Sequence, residues 1–219
     1  SQGIDILPSP SASDCLYDDN NQLIGIKTCD LGRLPSGPGP HFEPGMAIYA
    51  KQVVLAEGCR GSLTEEIIKR DQLRQDATAA SYGIGFKEVW EVTDKNFHPG
   101  HVMHSVGWPL KSDTYGGSFL YHWVDNKVSI GFVIGLDYQN PYLNPYEEFQ
   151  QFKHHPLIAP ILSGGRRLLY GSRALNESGL QSIPKLHFPG GLIIGCGAGF
   201  GSRGAAVVLW SRTGLLWLR

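Results

Sequence analysis

The sequence predicts a mixed α/β (α+β) fold, and three observations carry that prediction. Glycine and proline are abundant, 28 and 14 of 219 residues, and they fall as short turns along the whole chain and not in one low-complexity block. Between the turns lie apolar, β-branched runs of strand length. Around residues 62 and 144 such runs give way to helix-start signatures. The composition also excludes. A formal net charge of −1 with 18% charged residues offers no basic stripe, so nothing in it supports nucleic-acid binding. The 42% apolar content suffices for a real core at this length.

Taken in order, residues 12–17 and 23–29 flank Asp18-Asp19-Asn20-Asn21 and read as a hairpin. Residues 32–45, with Pro35, Pro38, Pro40 and Pro44, read as a loop. Met46 to Ala56 then reads as one continuous buried strand of an α/β sheet. It runs into Glu57-Gly58-Cys59-Arg60-Gly61-Ser62. Ser62 with Glu65 fits a capping box, and Leu63, Ile67 and Leu73 form a helical stripe. A strand, a glycine turn and a capped helix in succession form a site where α/β proteins place ligands.

Strands follow at 82–92, 101–108, 118–124 and 128–136, the last two joined by the tight turn Asp125-Asn126-Lys127. Asn144 as cap, Pro145 at the first position, and Glu147 and Glu148 in the first turn start a helix that Pro156 ends. Residues 166–175 read as a strand. Gly191 to Gly195 is a short buried strand opening into Cys196-Gly197-Ala198-Gly199. No run approaches the ~18 apolar residues of a membrane span. The nearest, Ala205 to Leu218, is interrupted by Ser211, Arg212, Thr213 and Gly214, so any membrane contact would be peripheral.

Several motifs invite a functional reading that their context weakens. Gly199-Phe200-Gly201-Ser202-Arg203-Gly204 fits the dinucleotide string, yet no acidic residue follows Glu177, and the pattern needs one about 20 residues on. His98, His101 and His104 cannot share a helix across Pro99-Gly100, and residues three apart on a strand face opposite ways. They read as surface or core histidines, and no metal site is expected. Cys15, Cys29, Cys59 and Cys196 match no metal or cluster spacing and read as four unrelated buried thiols. Cys59, beside Arg60 and a helix start, could be an activated thiol, but a structural or ligand-lining role fits better. No GxSxG elbow is present. Asn176-Glu177-Ser178 is a formal glycosylation sequon with nothing else pointing to secretion.

The segment from Thr114 to Tyr121 is more informative. Gly116-Gly117 between a polar loop and an aromatic strand permits a flat ligand to approach the backbone closely. Trp108, Tyr115, Phe119 and Tyr121 could line an apolar slot around it. The alternative is a glycine hinge before a strand.

Longer strings carry a family resemblance. Residues 82–90, 106–110, 114–122, 135–142, 152–156, 164–167, 174–177 and 181–186 closely resemble the electron transfer flavoprotein–ubiquinone oxidoreductase family, and the resemblance covers roughly residues 3–200. It implies an oxidoreductase with FAD and a 4Fe–4S cluster, passing electrons from reduced electron transfer flavoprotein to ubiquinone at a membrane surface. The implied fold is a partial FAD-binding domain of the glutathione-reductase-like type interleaved with a β-sheet ubiquinone-binding domain. In these terms residues 1–80 are part of the FAD domain and 81–185 the ubiquinone domain. Residues 186–200 return to the FAD domain, and 201–219 are a divergent tail.

Carried over residue by residue, the resemblance implies FAD contacts at Glu57, Gly58, Gly61, Gly195, Cys196, Gly197, Ala198 and Gly199. It places the quinone head at Gly116 and Gly117. It implies no catalytic side chain and no metal ligand here, because the redox chemistry belongs to the cofactors. The family's first flavin motif and its cluster cysteines have no counterpart in this chain, so it is expected not to hold FAD tightly or transfer electrons alone. The family's usual place is the matrix side of the mitochondrial inner membrane, or the bacterial inner membrane. Two other readings stand beside this one. They are a related membrane-linked FAD dehydrogenase or reductase, of the nitrogen-fixation or geranylgeranyl reductase type, and a non-catalytic quinone- or lipid-binding fragment.

Overall fold

The computed structural model describes residues 3–8 and 10–200. The Gly199–Gly204 string beyond Phe200, the apolar stretch 205–218 and the divergent tail lie outside the described residues. The chain divides into two compact units, one built from residues up to Ala77 together with Ile183–Ala198, the other from Thr78–Ser182.

In the first unit, β1 (Ala12–Tyr17) and β2 (Leu23–Thr28) form the expected antiparallel hairpin. Asp18 Oδ1 accepts from the backbone N–H groups of Asn20 and Gln22, which fastens the turn. The proline-rich stretch differs from its loop assignment, because β3 (Leu31–Leu34) and β4 (Gly37–Glu43) pair as a two-stranded ribbon. A ribbon with one ladder leaves each strand an outer edge, where Pro38 and Pro40 need donate nothing.

The single buried strand expected over 46–56 is also corrected. It is two short strands in two sheets: β5 (Ala47–Tyr49), antiparallel to β2, and β6 (Val53–Leu55). The polar pair Lys51-Gln52 separates them, and Met46, Tyr49 and Val54 are exposed. Helix α1 (Ser62–Arg70) follows, burying Leu63, Ile67 and Ile68. Near the chain's other end β12 (His187–Phe188) and β13 (Gly191–Ile193) complete a small sheet in which β13 lies parallel to β6. Leu23, Leu55, Leu63, Ile67, Leu73, Phe188 and Ile193 form the core of this unit.

The second unit is a five-stranded antiparallel sheet in the order β11-β7-β10-β9-β8, made of β7 (Tyr82–Glu91), β8 (Val102–Val106), β9 (Gly116–His122), β10 (Lys127–Gly135) and β11 (Arg166–Asn176). Asp125 and Asn126 take φ of +54° and +56°, the left-handed pair that a tight hairpin between β9 and β10 requires. Helix α2 (Pro145–Lys153) begins as expected, Asn144 Oδ1 accepting from the backbone N–H groups of Tyr146 and Glu147. After Pro156 the chain makes one further turn, α3 (Ala159–Leu162), which the proline had masked.

The period-2 pleat divides this sheet's side chains cleanly. Ile84, Phe86, Leu120, Val128, Ile130, Phe132 and Ile134 face α2 and α3, packing against Phe149, Phe152 and Leu162. Glu88 lies on the same face, 2% exposed, and holds three donors: Lys153 Nζ at 3.0 and 2.9 Å, Arg167 Nη1 at 3.2 Å and Trp90 Nε1 at 2.7 Å. One carboxylate thus ties α2, β11 and β7 together.

Candidate functional site

The opposite face of the five-stranded sheet is glycine-lined. Cross-strand pairing sets Gly83 beside Gly135, Gly85 beside Val133, Val133 beside Gly117, and Gly131 beside Lys87, which in turn faces Gly171. Six of the seven glycines in these strands therefore open onto this one face; only Gly116 looks toward the helices. Without Cβ atoms the strands let other groups come close to the backbone, and protein side chains already fill part of that face: of the six, only Gly171 is exposed. The signal was present in the sequence as Gly83/Gly85 and Gly131/Gly135, spaced by two and four. Glycines inside strands carry no turn signal, so this spacing does not stand out in the sequence.

Gly116 and Gly117 are themselves strand residues, not a hinge before one. Gly117 pairs with Val133 on one side and with Val106, the last residue of β8, on the other. Gly116 pairs with Ile134 alone, so β8 ends just where the glycine pair begins. A side chain at Gly116 would meet Leu110 and the Val133 carbonyl, which makes that glycine a packing requirement as well.

The expected aromatic slot is brought together in part. Phe119 lies with its ring directly over Gly131, fully buried, and stacks on Tyr121 at 5.1 Å. Tyr115 stands beside Gly135 at the end of the glycine-lined face. Trp108 does not join them. It is half exposed and packs on the His155 ring at 5.1 Å, lining with Gln151, His154 and Pro156 a shallow surface hollow. Two residues on this face escaped the sequence reading. Lys87 extends over the Trp123 ring, 5.8 Å from its centroid, and burial lowers its ammonium pKa. Glu177, 2% exposed, sets its carboxyl over Gly83.

The histidines separate by face, as the strand argument requires, but acquire partners it did not foresee. His98 and His101 gather around His122, with ring centroids 5.9 and 5.3 Å away. His122 Nδ1 accepts the His98 backbone N–H at 3.1 Å, so the neutral ring carries its proton on Nε2. That buried Nε2 has no hydrogen-bond partner among the described residues. Desolvation, then the charges of His101 and His98, lower the His122 pKa from 6.5. With the folded-state value depressed, the neutral ring's contribution is complete above about pH 6.5 and is lost as pH falls toward the folded-state value. His122→Asn is expected to flatten the loss of thermal stability between pH 7 and 5. An acid limb equally steep in that variant would contradict this.

The second cluster of expected site residues lies in the first unit, at the carboxyl ends of the adjacent parallel strands β6 and β13. There the turns Glu57–Gly61 and Gly195–Ala198 meet, since a Cβ on Gly197 would lie 2.9 Å from the Gly58 carbonyl. Gly58 and Gly195 take φ of +88° and +65° with open space where a side chain would stand, so a ligand can reach the backbone at both. Cys196 is half-buried within the second turn, Ala198 is buried, its N–H closing the turn onto the Gly195 carbonyl, and Gly199 takes φ +79°.

Glu57 and Gly61 are turned inward. A side chain at Gly61 would collide with the Glu57 side chain, and Glu57 carries out the helix capping assigned to Ser62 and Glu65. Its carboxylate accepts from Thr64 N at 2.7 Å, Thr64 Oγ1 at 2.7 Å and Leu63 N at 3.4 Å. Gly61 is the N-cap and Ser62 the first helical residue, so the capping box is one position out of register. Because Glu57 already neutralises the α1 N-terminus, that helix end is a poor seat for a phosphate. The fit of a flavin to this unit therefore rests on the open backbone at Gly58 and Gly195.

The remaining sequence candidates resolve simply. None of the four cysteines is in a disulfide, and none is fully buried, Cys29 being exposed. Asn176 of the sequon is 2% exposed at the end of β11, out of reach of a glycosyl carrier. Among the described residues no helix is long and apolar enough to cross a membrane, and no group of three or more His, Cys, Asp or Glu is placed to hold a metal.

Comparison with known proteins agrees with this geometry. Residues 82–175, the extent of the five-stranded unit, match the family model described as ETF-QO, ubiquinone-binding. The chain is 53% identical over 201 residues to the mitochondrial electron transfer flavoprotein–ubiquinone oxidoreductase of Mus musculus, covering 90% of this chain and 33% of that protein. It is 51% identical over 201 residues to the Homo sapiens protein of the same name, and 50% over 199 residues to the Saccharomyces cerevisiae protein named as a probable one. The chain thus spans about a third of the length of the curated relatives it matches. Among solved structures it is similar in fold to a geranylgeranyl bacteriochlorophyll reductase-like protein from Thermoplasma acidophilum, with a TM-score of 0.61 and 14% identity over 93% of this chain and 47% of that one. The flavin-dependent brominase Bmp2 has a TM-score of 0.57 and 15% identity, over 94% of this chain and 48% of that one.

Proposed function

We infer that this chain, whose residues 82–175 belong to the ETF-QO ubiquinone-binding family, is the quinone-binding portion and part of the flavin-binding portion of an electron transfer flavoprotein–ubiquinone oxidoreductase. The whole enzyme would take electrons from reduced electron transfer flavoprotein and deliver them to ubiquinone, peripherally at a membrane surface, the inner mitochondrial membrane on its matrix side. Its 4Fe–4S cluster would be held by residues outside this chain. The observation that carries the reading is the glycine-lined face, which lies within the matched region and reaches Gly117, where the edge strand β8 ends.

In this reading residues 81–185 bind the quinone, while 1–80 and 186–200 serve the flavin. The quinone ring seats at the edge of the sheet where β8 ends beside the glycine pair, its carbonyl accepting from backbone N–H there, with Phe119 and Tyr121 nearby as apolar wall. Gly58, Gly195, Cys196, Gly197 and Gly199 offer backbone to FAD, which when bound supplies the redox chemistry. Glu57 and Gly61 shape that turn from within and do not touch the cofactor. The roughly 50% identity to these oxidoreductases, against 14% to the geranylgeranyl reductase-like protein, favours this over the related reductases.

Gly117→Val in the flavin-loaded full-length enzyme places a branched side chain on the glycine-lined face. It is expected to weaken quinone affinity at least about tenfold. Quinone titration by flavin fluorescence measures it, and unchanged affinity in a variant of native circular dichroism would refute the assignment.

A further inference from the structure

The edge strand β8 carries an arrangement that quinone positioning alone leaves unexplained. Val102, His104 and Val106 all stand on the glycine-lined face, paired with Tyr121, Phe119 and Gly117 respectively. The two valines are strongly exposed, 58% and 85%. An exposed apolar row on that face suits an apolar ring and its hydrocarbon tail. The residue between the valines breaks that row with an exposed imidazole. It does not hang free: His104 Nε2 lies 3.0 Å from Tyr121 Oη, with the rings 5.4 Å apart. His104 is one pleat row from Gly117 on the same face, about 7 Å along the strand.

Resting on the reading of Gly116-Gly117 as the quinone seat, we propose that His104 is the proton donor for quinone reduction and that Tyr121 positions it. Quinone becomes quinol by gaining two electrons and two protons, one O–H bond forming at each carbonyl oxygen. The electrons come from the enzyme's flavin; the glycine backbone can supply hydrogen bonds but no protons to keep. Imidazole is the side chain suited to give and regain a proton near neutral pH. In this transfer the N–H bond of the His104 imidazolium breaks as the O–H bond forms at the quinone oxygen that faces β8, leaving a neutral ring. Solvent reprotonates that ring through its exposed side, and the second quinone oxygen takes its proton from solvent. The Tyr121 hydroxyl engages Nε2 and so directs the other ring nitrogen, Nδ1, as the donating one. Lys87 stands in the same cross-strand row as His104 but three strands away, and it extends over Trp123 with the Phe119 ring, which lies over Gly131, between the two.

The test compares quinone with an acceptor that takes electrons without protons. In the flavin-loaded full-length enzyme, His104→Gln is expected to slow reduction of a short-chain ubiquinone about 100-fold. It should also remove the corresponding limb of the pH–rate profile. Reduction of ferricenium, which takes up no proton, and quinone affinity should both stay at wild-type values. Tyr121→Phe should give a smaller loss of quinone rate with an altered pH profile and an unchanged ferricenium rate. A quinone rate within twofold of wild type in His104→Gln, or quinone and ferricenium rates falling together, overturns the proposal. Retained quinone affinity in Gly117→Val overturns the seat assignment and the proposal with it. Loss of affinity there combined with an unaffected His104→Gln rate removes the proton donor alone.

Discussion

Glu88→Ala is expected to destabilise the five-stranded unit by about 3–5 kcal/mol, the usual consequence of removing one partner from a buried ion pair. The carboxylate is 2% exposed and the Lys153 side chain only 13%, so the deletion strands an ammonium between the Trp90 and Phe149 rings. The lost Trp90 indole bond adds to this. The Arg167 contact adds little, since its side chain is 42% exposed and water screens it. A double replacement, Glu88→Leu with Lys153→Met, should recover most of the loss because no charge then remains buried. Urea unfolding followed by tryptophan fluorescence measures both. A single-variant loss below about 1 kcal/mol would mean that the network is solvated in solution and contributes no more than a surface pair.

The second large effect is expected at Gly190, between β12 and β13. Its φ is +87°, and a Cβ there would run into the backbone carbonyl of Leu23, the fully buried first residue of β2. The crowding is fixed by hydrogen bonds on both sides, Leu23 N donating to the Pro189 carbonyl and Val53 N to the Gly190 carbonyl, each spanning more than a hundred residues of chain. Backbone strain at positive φ and steric displacement together place Gly190→Ala at about 2–6 kcal/mol. The first unit should unfold at lower urea while the second keeps its own transition. Wild-type stability in this variant would show that the β12–β13 turn can leave Leu23 without loss.

Much of the second unit was legible because its signals are local. The Asp125-Asn126 turn, the Asn144 cap with Pro145 and the apolar periods of β7, β10 and β11 are each written within a few residues, and each forms as read. The first unit was read less well, for the same reason in reverse. The run from Met46 to Ala56 looks like one strand, yet its halves pair with β2 and with β13, which lies about 140 residues later. The prolines at 38 and 40 suggest a loop, and only the absence of a third strand beside that ribbon lets them stand in β4.

The candidate site shows the same division. The family strings pointed to Gly116-Gly117 and to the turns at Glu57–Gly61 and Gly195–Gly199, and of these Gly58 and Gly195 have open space beside their backbone. They could not tell that Glu57 and Gly61 face inward, because a carboxylate five residues before a helix can cap it or stand free, and only packing chooses. Nor could they assemble the glycine-lined face. By itself the sequence determined the mixed α/β class, the resemblance that residues 82–175 bear to the ubiquinone-binding family, and where the glycines stand along the chain. The tertiary structure alone decided that six strand glycines share one face and that His104 meets Tyr121 beside them. A strand's pleat fixes which residues alternate, but which strands lie side by side, and in what register, is set by contacts between distant segments.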